Sequence, residues 1–325
     1  MKAIVYRNYG LPDVLKCEEV EKPIPKDDEV LIRVRAASAN PADMVFRGTS
    51  YIVRMLTGLR KPKNTRVGSD VAGEVEAVGR SVTQFKSGDE VFGICRGAFA
   101  EYVCTSESAV VIKPGNVSFE QAASVPVAAF TALQGLRDKG QIRPGQKVLV
   151  NGAAGGVGTF TVQIAKWFGA DVTGVCSTRN VEMVGSIGAD GVIDYTREDF
   201  TKDTQHYDLI VDCVGNHSLS ACRRVLSPKG ICVLVGAPSK VWLILIRVLS
   251  ALLWSRFISQ KFVVFIAKRS KEDLTIMHDL MKAGKVVPVI DRRYSLSEVP
   301  EAMQYLEERH ARGKIVIVLE NSKRI

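Results

Sequence analysis

Gly152, Gly155 and Gly158 stand at three-residue intervals in Val148-Leu149-Val150-Asn151-Gly152-Ala153-Ala154-Gly155-Gly156-Val157-Gly158. A pyrophosphate needs backbone N–H groups at a helix N-terminus and no Cβ in the way, and glycines there, with Gly156 and Val157 beside them, provide both. A glycine triplet alone is a weak signal. Here a strand pattern precedes it, a helical pattern follows and a second strand arrives at the right distance, which is the context a dinucleotide site requires. The end of that second strand selects the cofactor. An NAD site places an Asp or Glu there for the ribose 2′-hydroxyl, whereas this chain reads Gly174-Val175-Cys176-Ser177-Thr178-Arg179-Asn180. Ser177 can hydrogen-bond a 2′-phosphate and Arg179 can neutralise it, so NADP(H) is the expected cofactor.

The elements that must carry this loop follow a simple order. Glu29 to Ala36 and Val71 to Val78 are short β patterns joined by Gly-rich turns, which predicts a barrel-like domain up to Lys113-Pro114-Gly115. Ser118 with Gln121 opens a helical stretch that Pro126 interrupts. From Gln146 the chain alternates: strand Lys147 to Val150, helix Val157 to Phe168, strand Val172 to Val175, then strands at Leu209 to Val211 and Cys232 to Val235. Such alternation predicts a parallel sheet with helices on its faces. A helix from Ser270 to Met281, a strand Val286 to Ile290, a helix Glu298 to Glu308 and a strand Lys314 to Leu319 close the chain.

Composition narrows the function classes. The 325 residues are 46% hydrophobic and 24% charged, which fits two globular domains and excludes a disordered or collagen-like chain. Seven cysteines form no C-x-x-C pair, and Met1 to Tyr6 enters a strand pattern without signal-peptide layout. Both point to a reducing, cytoplasmic setting. The net charge of +9 is concentrated between Ser239 and Lys271, where Lys240, Arg247, Arg256, Lys261, Lys268, Arg269 and Lys271 meet no acid. A charge confined to one apolar stretch, with no RNA-binding motif, argues against nucleic acid as a partner.

Several further segments resemble one family: Ala39-Asn40-Pro41-Ala42-Asp43, Gly68-Ser69-Asp70-Val71-Ala72-Gly73, Gly88-Asp89-Glu90-Val91-Phe92-Gly93, Ser124-Val125-Pro126, Val192-Ile193-Asp194-Tyr195 and Gly313-Lys314-Ile315-Val316. With the glycine loop they make the chain similar, over its whole length, to the zinc-free, zeta-crystallin-like quinone oxidoreductases of the medium-chain dehydrogenase/reductase superfamily. The resemblance implies an α/β fold: a doubly wound Rossmann parallel sheet plus a GroES-like β-barrel domain. The barrel domain would be residues 1–122 and 268–325, the Rossmann domain 123–267 with an apolar basic insert at 239–266, and the cofactor would lie in a cleft between them. It also implies that Thr131 faces the nicotinamide end, that Tyr195 lies near the adenosine phosphate, that Val214, Gly215 and Gly236 line the cofactor, and that Lys314 returns toward it. A homodimer is the expected assembly.

The departures from the zinc-dependent relatives set the chemistry. Asn40 stands where they carry a cysteine ligand and Ser69 where they carry a histidine, and Gly93 to Phe99 is too short for their structural zinc lobe. No metal is expected. Without a Lewis acid, hydride addition to a quinone or an α,β-unsaturated carbonyl is easier than alcohol oxidation, because the incoming charge delocalises onto oxygen. Asn40 could donate a hydrogen bond to the resulting enolate, or simply start a turn as an Asn-Pro pair. Tyr51 could hydrogen-bond the acceptor or supply a proton, or sit at a pocket rim, and solvent could deliver the proton instead. An NADPH-binding regulatory or structural protein with little turnover, at a membrane surface or elsewhere, is the alternative reading. The greasy run Val241 to Trp254 holds Arg247 inside and is too short to span a bilayer. It suits a pocket cover for a lipophilic acceptor or a subunit contact, with peripheral membrane contact through 241–266 as the alternative.

Overall fold

The computed structural model describes residues 1–48, 54–55, 58–236, 259–308 and 310–319. These fall into two compact units: residues 1–127, 269–284 and 288–325 form the first, and 128–268 with 285–287 the second.

In the first unit β1 (Lys2–Val5) pairs antiparallel with β2 (Lys16–Glu19), and the main sheet is built on β3 (Glu29–Ala39), an eleven-residue strand. Along one edge it pairs antiparallel with β4 (Asp70–Val78). Along the other it pairs first with β6 (Tyr102–Ser106) and then with β15 (Lys314–Val318). Among the described residues the sheet runs β14 (Ile290–Ser295), β15, β3, β4, β5 (Glu90–Ile94), β7 (Val110–Ile112), with β6 against β3. The two-residue period of a strand explains β3 directly. Val30, Ile32 and Val34 enter the core with Val71, Val75, Phe46 and Ile317. The alternate residues Arg33 and Arg35 face outward and pair with Glu76 and Glu74 of β4 at 3.0 and 2.8 Å. Register shifts in β3 between Leu31 and Ile32 and between Val34 and Ala36 bend it.

The second unit is a parallel sheet of order β10 (Gly191–Asp194), β9 (Asp171–Cys176), β8 (Lys147–Asn151), β11 (Tyr207–Asp212), β12 (Leu226–Leu234), β13 (Lys261–Val264) among the described residues. Every neighbouring pair is parallel, as the strand–helix alternation requires. Strand order reverses between β8 and β11, the point at which an open α/β sheet leaves a crevice at the carboxyl ends of its strands. Val148, Leu149 and Val150 are fully buried there.

Ser118 and Gln121 form the expected reciprocal cap, at 3.1 and 3.0 Å. The helix they open ends at Ala123, and Pro126 starts a new one, Pro126–Gln134, because proline fits a first helical turn. Ser270 caps the helix Lys271–Lys282 as anticipated. Two expectations fail. Val286 to Val289 form no strand, since Val287 is held by both ends of the Gln163 amide (2.8 and 3.1 Å), and the strand begins at Ile290. Lys261 to Val264 belong not to an insert but to the edge strand of the sheet, beside β12. Residues 237–258, which include the greasy run, lie outside the described residues. Gln134 clamps Lys268 as Gln163 clamps Val287, accepting its N–H at 2.9 Å and donating to its carbonyl at 2.7 Å. Among the described residues no helix is long and apolar enough to cross a membrane.

Candidate active site

Strand β8 ends at Asn151 and the chain turns sharply at Gly152, whose φ of +85° suits glycine. The N–H groups of Gly152 and Ala153 are taken by the Val175 carbonyl at 3.1 and 3.0 Å, which ties the turn to β9. Gly155 then caps the helix Gly156–Trp167. The first N–H groups of that helix, on Gly156, Val157 and Gly158, have no carbonyl partner within it and leave a positive end at the turn.

The three glycines are needed for different reasons. A Cβ on Gly158 would lie 2.0 Å from the Gly152 carbonyl oxygen, so that glycine is required by the close packing of helix on turn. A Cβ on Gly155 would meet only the Gly152 oxygen, at 3.4 Å, an ordinary contact. Its φ of −82° and ψ of 175° are open to any residue. Among the described residues nothing demands a glycine at 155, which sits half-exposed with Gly156 and Val157 at the helix start. A helix start with so little side-chain bulk fits the pyrophosphate of a dinucleotide.

Across the switch point, Asp212 at the end of β11 organises the neighbouring turn. Its carboxylate accepts the N–H groups of Gly215 and Val214 at 2.9 and 3.2 Å and the Asn151 amide at 2.8 Å. Its backbone carbonyl accepts Gly236 N–H at 2.8 Å. The Asn151 amide also reaches Asn216 at 2.9 Å. Gly236 has no room for a side chain, since a Cβ would lie 2.4 Å from the Cys213 carbonyl. The structure thus brings Gly152, Val214, Gly215 and Gly236 to one edge of the second unit's sheet. Burial pushes the Cys213 thiol up to about 12, so it is no nucleophile near neutral pH.

At the end of β9, Ser177 accepts a hydrogen bond from Asn180 at 3.1 Å, and Arg179 is exposed. Tyr195, 56% exposed, follows β10 directly. Asp194 braces this corner: its carboxylate accepts from the Thr178 hydroxyl at 2.5 Å and from the Thr196 hydroxyl and N–H at 2.8 and 3.0 Å. The Thr178 bond foremost holds the Asp194 carboxyl below its usual range. Thr131 lies on the helix Pro126–Gln134, half-buried.

The first unit holds a separate polar cluster that includes Asn40 and Lys314. Asn40 is 2% exposed, and its side-chain N–H groups go to Asp70 at 2.9 Å and the Ser38 carbonyl at 3.3 Å. Its oxygen accepts from Lys314 at 2.6 Å. With both amide hydrogens spent inside the unit, Asn40 has none to give an enolate. Lys314, expected to reach the cofactor, is 3% exposed and turned to Asn40 and to Asp70, 3.5 Å away. Asp70 also accepts from Ser38 at 2.9 Å and from Val127 N–H at 3.0 Å. Asp43 accepts from Ser69 at 2.6 Å and from Asn40 N–H at 2.8 Å. Burial pushes the Asp43 carboxyl up to about 6. Tyr51 lies outside the described residues. Asp212, Asn151, Asn216, Asp194 and Asp70 were not legible beforehand: they act as single residues far apart in the chain.

Two family models match the chain, an alcohol dehydrogenase GroES-like domain over residues 26–115 and a zinc-binding dehydrogenase domain over 187–317. A 2-methylene-furan-3-one reductase of Solanum lycopersicum is 36% identical over 332 residues, covering 98% of this chain and 79% of its own. An NADPH-dependent alkenal/one oxidoreductase of Arabidopsis thaliana, chloroplastic, is 34% identical with the same coverage, 98% and 79%. The solved quinone oxidoreductase of Coxiella burnetii superimposes with a TM-score of 0.87 at 31% identity, covering 98% of this chain and 99% of that one.

Proposed function

This chain belongs to the quinone oxidoreductase group of the medium-chain dehydrogenase/reductase superfamily, and on that premise we propose that it reduces a quinone or an α,β-unsaturated carbonyl with NADPH. The observation that carries the cofactor half is Gly155, a glycine that no contact among the described residues requires, at the start of a helix. Ser177 and Arg179, with no acid at the end of β9, favour the 2′-phosphorylated form, and the name of the Arabidopsis relative agrees. When bound, NADPH supplies the hydride. Gly152, Gly155, Gly156, Val157 and Gly158 would hold its pyrophosphate, Val214, Gly215 and Gly236 would give it backbone clearance, Thr131 would meet its nicotinamide end, and Tyr195 would join Ser177 and Arg179 at the adenosine phosphate.

Reduction of an enone adds hydride at the β-carbon, moves the π electrons onto oxygen and takes one proton at the α-carbon; a quinone takes the hydride and a proton to become the hydroquinone. Asn40 keeps its hydrogens within its own unit, so another donor meets the developing charge on oxygen, and Tyr51 or solvent supplies the proton. The reaction is zinc-independent, because Asn40 and Ser69 replace thiolate and imidazole with weak neutral donors. NADPH oxidation by purified protein, with and without a panel of quinones and enals, tests this reading. Cofactor binding without acceptor-dependent oxidation would replace it by a regulatory role.

We place the protein in the cytoplasm, supported by seven free cysteines, and fractionation of tagged cells checks it. A homodimer is supported by Val264 and Ile266, which are 45% and 90% exposed at the end of the strand Lys261–Val264. Light scattering of the purified chain checks that.

A further inference from the structure

Two carboxylates lie deep in the first unit: Asp70 is fully buried and Asp43 is 3% exposed. Hydrogen bonds from Ser38, Ser69, Asn40 and the Val127 backbone supply dipoles but no net charge. A buried anion that lacks a cation is strongly destabilising. The ammonium of Lys314 stands among these groups, 2.6 Å from the Asn40 oxygen and 3.5 Å from Asp70. It arrives on β15, which pairs with β3 so that Ile315 lies opposite Ala39 and Lys314 lands beside Asn40. The other charged or titratable groups nearby are Arg269 and the buried Cys95 thiol.

We propose that Lys314 is the resident counter-cation of this cluster and a positioning residue for Asn40, not a hand for the dinucleotide. Three consequences follow from the geometry. By taking the Asn40 oxygen, the ammonium fixes which way the carboxamide faces, so its N–H groups point to Asp70 and Ser38. By neutralising Asp70, it lets that carboxylate hold Val127 N–H in the first turn of the helix Pro126–Gln134. And burial pulls the Lys314 ammonium below its usual range while Asp70 and Asp43 oppose that shift, in a dry site where none of its donors is offered to solvent. This assignment goes beyond the proposed reaction and is tested without turnover.

The test compares wild type, Lys314→Met and the double variant Lys314→Met/Asp70→Asn by thermal unfolding and by fluorescence titration with NADPH. Asn at 70 keeps an oxygen for Val127 N–H, and the freed Asn40 amide can flip to meet the new NH2 group. The single variant should melt well below wild type, with a gap that narrows as pH falls from 8 to 5.5 and Asp43, already pushed up to about 6, protonates. The double variant should recover much of the loss and bind NADPH within threefold of wild type. If the single variant does not fold but the double one does, the assignment stands. A double variant no better than the single one, folded or not, would overturn it. So would a pH-independent gap, or a tenfold rise in NADPH Kd with unchanged melting.

Discussion

Replacing Gly155 by Ala separates what the fold needs from what the cofactor needs. The added methyl group would lie 3.4 Å from the Gly152 oxygen and meet nothing else among the described residues, at φ −82° and ψ 175°. Alanine is relaxed in that conformation and restricts the unfolded chain, so the variant should gain about 0.5 kcal/mol. That corresponds to a melting rise of roughly 1–2 °C for a chain of this size. The same methyl group would stand where the pyrophosphate meets the helix N-terminus. Forcing a methyl into a close contact costs about 1–3 kcal/mol, and about 1.4 kcal/mol is a factor of ten in affinity. Fluorescence titration should therefore show NADPH Kd raised roughly 5- to 150-fold in a protein at least as stable as wild type. Gly158→Ala is the contrasting case: its Cβ would lie 2.0 Å from the Gly152 oxygen and 2.9 Å from the Ala153 backbone, so stability and binding should fall together. Gly155→Ala protein that binds NADPH as tightly as wild type would refute the assignment of this loop as the cradle.

Arg179→Ala removes a charge-assisted phosphate contact of about 1.5–3 kcal/mol; titration should show NADPH weakened at least tenfold and NADH changed by less than twofold. Burial pushes Asp43 up to about 6, so between about pH 4 and 6 the folded chain binds more protons than the unfolded one and stability falls as pH rises. With about 1.4 kcal/mol per pKa unit, the loss attributable to Asp43 is about 3 kcal/mol at most, and denaturant unfolding of Asp43→Asn across that window should show a shallower decline than wild type. Elemental analysis of the purified protein should find no stoichiometric zinc, and chelators should leave NADPH oxidation unchanged; one zinc per chain would contradict the reading of Asn40 and Ser69.

What the sequence disclosed and what it concealed have physical reasons. The parallel sheet was legible because fully buried strands such as Val148 to Val150 read as unbroken apolar runs. The glycine loop was legible because its parts are local. Strand β14 was not: Ile290-Asp291-Arg292-Arg293-Tyr294-Ser295 lies on the sheet edge, is polar, and follows an apolar Val286-Val287-Pro288-Val289 that looks more like a strand than it does. Strand β13 was absorbed into the greasy run before it, since both are apolar and no glycine or proline divides them. Asn40 was read by type, as an amide that can donate. Which partner takes those hydrogens is decided by Asp70, 30 residues away, and which takes its oxygen by Lys314, 274 residues away. No spacing rule reaches that far.

That last separation bears on how the molecule is made. Residues leave the ribosome at roughly 5–20 per second, so Lys314 follows Asn40 by roughly 14–55 seconds. For that interval the nascent chain carries Asp43 and Asp70 with no ammonium to meet them, and β3 lacks the neighbour that β15 will provide. The first unit cannot close around its acids before the final strand is delivered, whereas residues 128–268, synthesised without interruption, can assemble the whole second sheet beforehand. A chain cut short anywhere before residue 314 is left with an open barrel edge and stranded charge. The cell's proteases would meet it as an unfinished protein rather than a slightly shorter one.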